Sequence, residues 1–227
     1  MRSAIFDLDG TLADTSGDLI AAANACFAAR GVTVRLDPVT DAGTALRGGR
    51  AMLRLGYGRL GEVDEELVDA DYPRLLAAYE AGIAERTRLY PGVVAALDDL
   101  AAAGWLLGVC TNKPERLARI LLGELGVLDR FAALLGADTL PVRKPDPLHY
   151  TRTVEGVGGS LGKSVLIGDS VTDRDTARNA GVPVVLVGFG PAAAQMPALE
   201  PDAILDSFAN LTRLLDGLIP LDPASGT

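Results

Sequence analysis

Short apolar runs bounded by turn residues alternate with amphipathic segments along the chain. The apolar runs have the length of buried strands and cover residues 3–9, 105–111, 131–138, 164–169, 182–188 and 202–206. Between them, apolar residues repeat with the period of a helix over residues 92–104, 114–126, 145–158, 173–181 and 208–218. Nearly continuous apolar strands that alternate with helices are typical of a parallel sheet covered on both faces. The pattern therefore predicts the α/β class.

The connection between the first two predicted strands is far longer than a crossover requires. It spans roughly 90 residues, whereas a dozen or more suffice for a crossover with its helix. The stretches "SGDLIAAANACFAARG", "TALRGGRAMLRLG" in part, and "DEELVDADYPRLLAAYEAGIAER" have helical patterns. We therefore expect an inserted helical domain over 14–86 and a discontinuous core of 1–13 and 87–227, whose tail "LDPASGT" is loosely held.

Composition and charge narrow the class of protein. The 227 residues are 48% hydrophobic, and 30 acidic against 21 basic residues give a net charge of −9. An acidic chain without a basic run is a poor partner for nucleic acid. The start "MRSAIFDLDG" has no leader pattern, and no apolar run approaches the ~18 residues of a membrane span. We expect a soluble cytoplasmic protein that binds neither nucleic acid nor a membrane, as a monomer or a homodimer.

The chain's cysteines and its histidine are expected to be structural. Cys26 lies in an alanine-rich helical pattern and Cys110 in an apolar strand pattern, where a small buried thiol is the common role. His149 lies in a helical pattern beside a tyrosine, and we expect it to be packed or at the surface.

The stretch "AIFDLDGT" ends an apolar strand with two aspartates. Alternate residues share a face, so Asp7 and Asp9 begin on the same side where the strand ends. Two carboxylates this close repel each other, unless a cation binds between them or one of them holds a proton. An ordinary Asp-Gly turn with Thr11 as a helix cap is the plain alternative.

A second acidic cluster, "GDSVTDRDTA", follows the apolar run "SVLI" and places Asp169 at a strand end and Asp173 about one turn later. Ligands of open α/β sheets bind at the carboxyl ends of the strands. Asp7, Asp9 and Asp169 are therefore expected to converge on one ion. Ligation by oxygen suits Mg²⁺, while one histidine and two separated cysteines make no convincing zinc site.

Two other strand ends offer donors for an oxyanion. In "CTNKP" these are the Thr111 hydroxyl and the Asn112 backbone N–H at a helix start, and in "VRKPDP" the donor is Lys144. Lys113 is expected to be a solvated residue at the helix start, with a phosphate contact as the alternative. A divalent cation, a carboxylate nucleophile and phosphate-binding donors together indicate phosphoryl transfer.

These motifs resemble those of a known superfamily. "DLDGT", "TN", the lysine of "RKPDP" and "GDSVTD" are similar, in this order, to the four motifs of haloacid dehalogenase-like phosphohydrolases. The insert after the first motif resembles that superfamily's cap domain, which implies a Rossmann-like parallel-sheet core with an inserted α-helical cap. "YPGVVAALDDLAAAGWLLGVCTNKP" and "GADTLPVRKPDP" resemble the phosphoglycolate phosphatases in particular.

The resemblance implies a role for each residue of the first motif. Asp7 is the nucleophile that forms an aspartyl-phosphate intermediate. Asp9 is the general acid that protonates the leaving alkoxide and then the base that activates water. Asp7, the backbone carbonyl of Asp9, and Asp169 hold Mg²⁺.

The other motifs supply binding groups. By the same resemblance, Thr111 and Asn112 bind the transferring phosphoryl group, and Lys144 orients Asp7 and offsets charge in the transition state. Asp173 acts through a metal-bound water or through Lys144 and does not ligate the metal directly.

The insert offers one candidate substrate-binding stretch, "LRGGRAMLR". Gly48 is expected in a flexible loop that faces the crevice, flanked by Arg47 and Arg50, which would pair with a substrate carboxylate; arginines in solvent are the alternative. "EVDEELVDAD" is expected to be a solvated helix face. We expect the insert to open and close over the crevice, with hinges near 13–16 and 85–88.

The resemblance favours a Mg²⁺-dependent phosphomonoester hydrolase acting on a small phosphorylated metabolite, with 2-phosphoglycolate first. Phosphatases for other small esters, nucleoside monophosphates or pyrophosphate, and a phosphomutase, stay open as alternatives, as does a non-catalytic binding module. The insert contains no lysine or histidine, which disfavours the phosphonate-cleaving and β-phosphoglucomutase-like relatives. The presence of Asp9 counts against dehalogenation.

Overall fold

The computed structural model describes residues 1–221 of the chain. The predicted loose tail "LDPASGT", except for Leu221, lies outside the described residues. The protein consists of two compact units. The helical unit is Ala13–Arg88, and the sheet unit is Met1–Leu12 together with the chain from Leu89 onward.

The sheet unit is built on a six-stranded parallel sheet. Its strands are β1 (Ser3–Phe6), β4 (Leu106–Cys110), β5 (Ala133–Leu135), β6 (Ser164–Gly168), β7 (Val184–Val187) and β8 (Ala203–Leu205). They lie in the order β5-β4-β1-β6-β7-β8. All residues of β1, β6 and β7 are buried, as the apolar runs require. The predicted α/β class with a parallel sheet is confirmed.

Helices connect the strands and cover the sheet. The sheet unit contains α5 (Val93–Ala102), α6 (Glu115–Glu124), α7 (Pro147–Gly156), α8 (Val171–Ala180) and α9 (Leu211–Leu218). Short 3-10 turns occupy Leu128–Arg130, Leu161–Lys163, Ala193–Leu199 and Phe208–Asn210. Each α-helix lies within, or within two residues of, a predicted helical segment, because its apolar residues repeat along the face that is buried.

The helical unit contains α1 (Ser16–Ala29), α2 (Ala42–Ala45), α3 (Gly49–Gly58) and α4 (Glu65–Ala81). Helices α1, α3 and α4 pack on one another around large buried side chains, among them Phe27, Leu53 and Leu75. Phe27 and Tyr57 meet edge to face with ring centroids 5.4 Å apart. No helix among residues 1–221 is long and apolar enough to cross a bilayer.

The expectation that "EVDEELVDAD" forms a solvated face is wrong at its last residue. Asp71 is fully buried, and Arg30 donates to both of its oxygens, at 2.6 Å from Nε and 2.5 Å from Nη2. The Tyr57 hydroxyl donates to the same carboxylate, and Arg74 lies 3.2 Å away. Asp71 continues the buried i, i+3, i+4 series of α4 with Val68 and Leu75, which is the signal that places it inside.

The two ends of the inserted segment are tied together. Residues Ala13–Asp14 (β2) and Arg88–Leu89 (β3) pair as a two-stranded sheet. Just inside, the Asp18 carboxylate accepts hydrogen bonds at 2.9 Å from the backbone N–H groups of Arg86 and Thr87, and one at 2.7 Å from the Thr87 hydroxyl. The stretches predicted as hinges thus contain a side-chain clamp that holds the entry and exit of the segment side by side.

Candidate active site

The candidate site lies where three adjacent strands of the sheet end. Asp7 follows β1, Thr111 follows β4, and Asp169 follows β6. The ladder register pairs Phe6 with Val109 and with Ile167, so the residues after them meet at one edge. The Asp7 backbone N–H still donates to the Ile167 carbonyl at 2.9 Å, which fixes the backbone of Asp7 rigidly at the strand end.

Lys144 links two of the carboxylates. Its Nζ lies 2.9 Å from Asp7 Oδ2 and 2.7 Å from Asp173 Oδ1, and only 1% of its side chain is exposed. Burial alone would lower the pKa of Lys144, but the charges of Asp173 and Asp7 outweigh burial and raise it. Lys144 is therefore a fixed positive charge beside Asp7.

Asp173 is held by its own helix start. Its Oδ2 accepts hydrogen bonds from the Ser170 hydroxyl at 2.5 Å and from the Asp169 backbone N–H at 3.2 Å. Gly168 makes room for this carboxylate, because a Cβ at Gly168 would lie 2.3 Å from Asp173 Cγ. With both oxygens engaged, Asp173 is positioned to hold the Lys144 ammonium.

Asp7, Asp169 and Asp173 form an acidic group whose ligand oxygens lie within 4.8 Å of one another. Burial, followed by the charges of Asp173 and Asp7, raises the pKa of Asp169 well above its usual range. Burial likewise raises the pKa of Asp7 to about 6, although Lys144 opposes the shift. One lysine cannot balance three ionised carboxylates, so the site requires either a proton or a further cation. Closely spaced carboxylate oxygens with excess negative charge fit a hard divalent cation.

The Asp9 side chain is not part of this acidic group. Its carboxylate is bound by the Lys113 ammonium, with Nζ 2.9 Å from Oδ1 and 3.2 Å from Oδ2. Only 3% of the Lys113 side chain is exposed, against 18% for Asp9. The expectation that Lys113 is solvated is therefore wrong: its side chain turns inward to an aspartate 104 positions away in sequence.

Thr111 and Asn112 both lie at this edge of the sheet. Thr111 is buried, and its Oγ1 accepts the Lys113 N–H at 3.2 Å. Helix α6 begins only at Glu115, so the Asn112 N–H lies ahead of the helix and not in its first turn. The Asn112 side chain donates to the Lys144 carbonyl at 3.0 Å, which helps to fix the loop that carries the lysine.

The structure also locates the predicted residues of the helical unit. Gly48 precedes helix α3 with φ 93°. Arg47 is exposed and donates to the Thr44 hydroxyl at 3.1 Å. Arg50 lies 3.9 Å over the ring of Tyr72 and pairs with Asp69 at 2.9 Å. Its charge therefore already has a partner within the helical unit.

The cysteines are buried, as predicted, and the histidine is packed and not at the surface. Cys26 and Cys110 are free thiols, and burial raises the pKa of Cys110 to about 12, which makes it unreactive. His149 Nε2 lies 3.0 Å from the Gly136 carbonyl, and burial lowers the pKa of the ring. The neutral, packed His149 contacts the loop that contains Gly136 and is not part of the acidic group.

Sequence reasoning missed two supporting hydroxyls. Ser170 caps helix α8 and donates to Asp173, and Thr11 donates to Asp169 Oδ1 at 3.3 Å. The first had a local signal, because Ser170 and Asp173 have the spacing of a helix capping box. Thr11 had none, since its partner is 158 positions away.

Comparisons with known proteins give independent evidence about the family of this chain. A family model described as haloacid dehalogenase-like hydrolase matches residues 1–181. The chain is 44% identical over 216 residues to a protein of Agrobacterium fabrum named phosphoglycolate phosphatase, covering 93% of this chain and 91% of that protein. It is 40% identical to a protein of the same name from Caulobacter vibrioides, covering 98% and 94%. A crystal structure of a predicted phosphoglycolate phosphatase from Haemophilus somnus superposes with a TM-score of 0.80 at 26% identity, covering 94% of this chain and 97% of that one.

Proposed function

The chain belongs to the haloacid dehalogenase-like hydrolases, and from this membership we propose that it is a Mg²⁺-dependent phosphatase that converts 2-phosphoglycolate to glycolate and phosphate. The single observation that carries the proposal is the site at the strand ends: a nucleophilic carboxylate beside a buried lysine, an excess of negative charge suited to a cation, and a separate carboxylate two residues on. The substrate comes from the names of the relatives that share about 40% of the sequence.

Asp7 is the proposed nucleophile. A carboxylate oxygen of Asp7 attacks phosphorus, the bond between phosphorus and the ester oxygen breaks, and an aspartyl phosphate forms. Lys144, 2.9 Å from Asp7 Oδ2, orients the carboxylate and offsets negative charge that develops during transfer. Asp173 pairs with the Lys144 ammonium, and the Asn112 side chain donates a hydrogen bond to the Lys144 backbone carbonyl.

Asp9 is the proposed general acid and base. In the first step its carboxyl proton passes to the leaving alkoxide oxygen of glycolate. In the second step its carboxylate takes a proton from water, whose oxygen attacks phosphorus of the aspartyl phosphate. Phosphate leaves, and the Asp7 carboxylate is restored. A separate carboxylate is needed for this work, because Asp7 is occupied by the phosphoryl group.

Mg²⁺ would be held by Asp7, Asp169 and the backbone carbonyl of Asp9, where it would neutralise the oxygens of the phosphoryl group. The Thr111 hydroxyl and the Asn112 backbone N–H are proposed to bind the same group from the neighbouring strand end. Asp7 and Asp169 belong to the group of closely spaced carboxylate oxygens, and a cation held there would offset their mutual repulsion.

We propose that the inserted segment 14–86 is a cap domain and that it binds the carboxylate of the substrate. Of the three candidates there, Arg47 is exposed, and Gly48 presents backbone without a side chain. Arg50 is already paired with Asp69, so we assign the carboxylate contact to Arg47 first.

Phosphate release tests the proposal. The protein is assayed with Mg²⁺ on 2-phosphoglycolate, small phosphate esters without a carboxylate, nucleoside monophosphates and pyrophosphate, with Asp7→Asn as the blank. A clear preference for 2-phosphoglycolate that falls in Arg47→Ala supports the assignment. Equal rates across the panel would leave a phosphatase of another or broader specificity, and no phosphate from any compound would refute hydrolysis and favour the mutase or the binding module.

A further inference from the structure

We propose that Lys113 is a positioning residue for Asp9, whose carboxylate it holds in place for proton transfer. This inference rests on the proposed phosphatase function and adds to it a residue that belongs to none of the roles assigned above. It concerns a residue that acts through another, since the Lys113 ammonium forms an ion pair with the Asp9 side chain.

The ion pair has the geometry of a fixed contact. The Lys113 ammonium reaches both Asp9 oxygens, at 2.9 Å and 3.2 Å, and this two-point contact restricts rotation of the carboxylate. The lysine side chain is almost fully buried, with 3% exposed. A buried ammonium is costly without a partner, so Asp9 and Lys113 hold each other in one arrangement.

The backbone that carries Lys113 is anchored as well. Its N–H donates to Thr111 Oγ1 at 3.2 Å, and its carbonyl accepts the Ala137 N–H at 2.9 Å. The neighbouring Gly136 is in such close contact that a Cβ there would lie 2.3 Å from the Glu115 nitrogen and 2.7 Å from the Lys113 carbonyl oxygen. Two loops are thus locked together under Lys113, and its ammonium is presented from a rigid support.

Asp9 needs such a holder because of where it lies. It is two residues from Asp7, and a divalent cation bound at the acidic group would attract its carboxylate too. If the Asp9 side chain ligated the cation, it could not carry a proton to the leaving oxygen, which must lie within hydrogen-bond reach of the acid. Lys113 supplies a competing positive charge at about 3 Å that keeps the Asp9 side chain apart from the metal ligands.

Two ester substrates distinguish this role from direct binding of the phosphoryl group. 2-Phosphoglycolate has an alkyl leaving group that needs a proton, whereas p-nitrophenyl phosphate releases a stable phenolate that needs little help. The value of kcat/KM reports the steps through departure of the leaving group. If Lys113 acts through Asp9, Lys113→Met lowers kcat/KM by at least about tenfold on the alkyl ester and by clearly less on the aryl ester.

A double-mutant cycle supplies the second readout. Asp9→Asn removes the group that Lys113 is proposed to hold, so Asp9→Asn with Lys113→Met is expected to be no slower than Asp9→Asn alone. Lys163→Met, the same substitution at the 3-10 turn Leu161–Lys163, serves as the matched control and should keep wild-type rates. If Lys113→Met melts below the assay temperature, Lys113→Gln, which keeps a donor without the charge, replaces it in every comparison.

Three results would overturn the inference while the phosphatase stands: an unchanged kcat/KM in Lys113→Met, an equal loss on both esters, or a double variant whose losses multiply. An equal loss on both esters, accompanied by weaker inhibition by inorganic phosphate, would instead make Lys113 a phosphoryl-binding residue. A wild-type protein that hydrolyses neither ester would overturn the proposed function, and this role with it.

Discussion

Both units of the protein bury aspartates, but they treat the negative charge in opposite ways. In the helical unit, the Asp71 carboxylate accepts hydrogen bonds from Arg30, Arg74 and the Tyr57 hydroxyl. The hydrogen bonds from Arg30 hold the pKa of Asp71 below its usual range. In the sheet unit, burial raises the pKa of Asp7 and of Asp169, and Lys144 offsets only part of the charge.

The difference separates a structural carboxylate from a functional one. A structural carboxylate is surrounded by donors, because an unpaired buried charge would destabilise the fold. The carboxylates at the strand ends have only one lysine among them, and we propose that a divalent cation supplies the missing positive charge. The same residue type therefore stabilises one unit and, as we propose, carries out the chemistry of the other. Substitutions in each unit should have opposite consequences.

Asp7→Asn should have the largest effect on activity. The amide is no nucleophile, so phosphate release should fall by at least about a thousandfold. The fold should persist, because the change removes a desolvated charge beside other carboxylates and leaves the isosteric side chain in place. Turnover and thermal melting of the same preparation check both parts. A variant that loses activity only because it melts early would break the comparison.

Asp71→Asn should do the reverse. Removing the carboxylate leaves Arg30 without its charged partner in a buried network, and we expect the free energy of unfolding to fall by about 3 kcal/mol. Asp69→Asn is the matched control, since Asp69 lies on the same helix but is 65% exposed in its pair with Arg50, and exposed pairs contribute little. Urea unfolding measures both variants. Equal midpoints for the two would contradict a structural role for Asp71.

The loss of stability in Asp71→Asn should depend on pH only on the acidic side, and this change with pH should be smaller than the loss itself. The hydrogen bonds from Arg30 hold the folded pKa of Asp71 below its usual value of 3.8, so its stabilisation is complete above the unfolded pKa and is lost as the pH falls through the folded pKa. The stability difference between wild type and Asp71→Asn should thus stay constant from about pH 5 to 8 and shrink below about pH 4. Unfolding curves at several pH values measure the difference. A gap that closes near neutral pH would contradict the assigned pKa direction.

Much of the fold could be predicted, because the strands of a covered parallel sheet are apolar throughout and their ends carry the motif aspartates. The run over 131–138 was predicted too long: only Ala133–Leu135 forms a strand, at the edge of the sheet, where pairing on one side limits its length. What failed was the direction of long charged side chains. Lys113 turns to Asp9 and Arg50 to Asp69 and Tyr72, and neither contact leaves a pattern in the local sequence.

The Asp71 network shows the same limit from another side. Its helical spacing placed it on the apolar face of α4, but its run of acidic neighbours indicated solvent. Asp71 is buried and not in solvent because Arg30, 41 positions away, donates a hydrogen bond to its carboxylate. Charge within a local window therefore predicts exposure poorly where a distant arginine supplies the counter-charge.

We propose that the acidic group at the strand ends, which has one lysine for three carboxyl groups, holds a divalent cation. A calorimetric titration of the wild-type protein with Mg²⁺ tests it directly, with Asp169→Asn and Asp69→Asn measured alongside. We expect one Mg²⁺ per chain for the wild type and for Asp69→Asn, and no binding in the same concentration range for Asp169→Asn. Binding that is equally tight in Asp169→Asn, or no binding by the wild type, would contradict the claim.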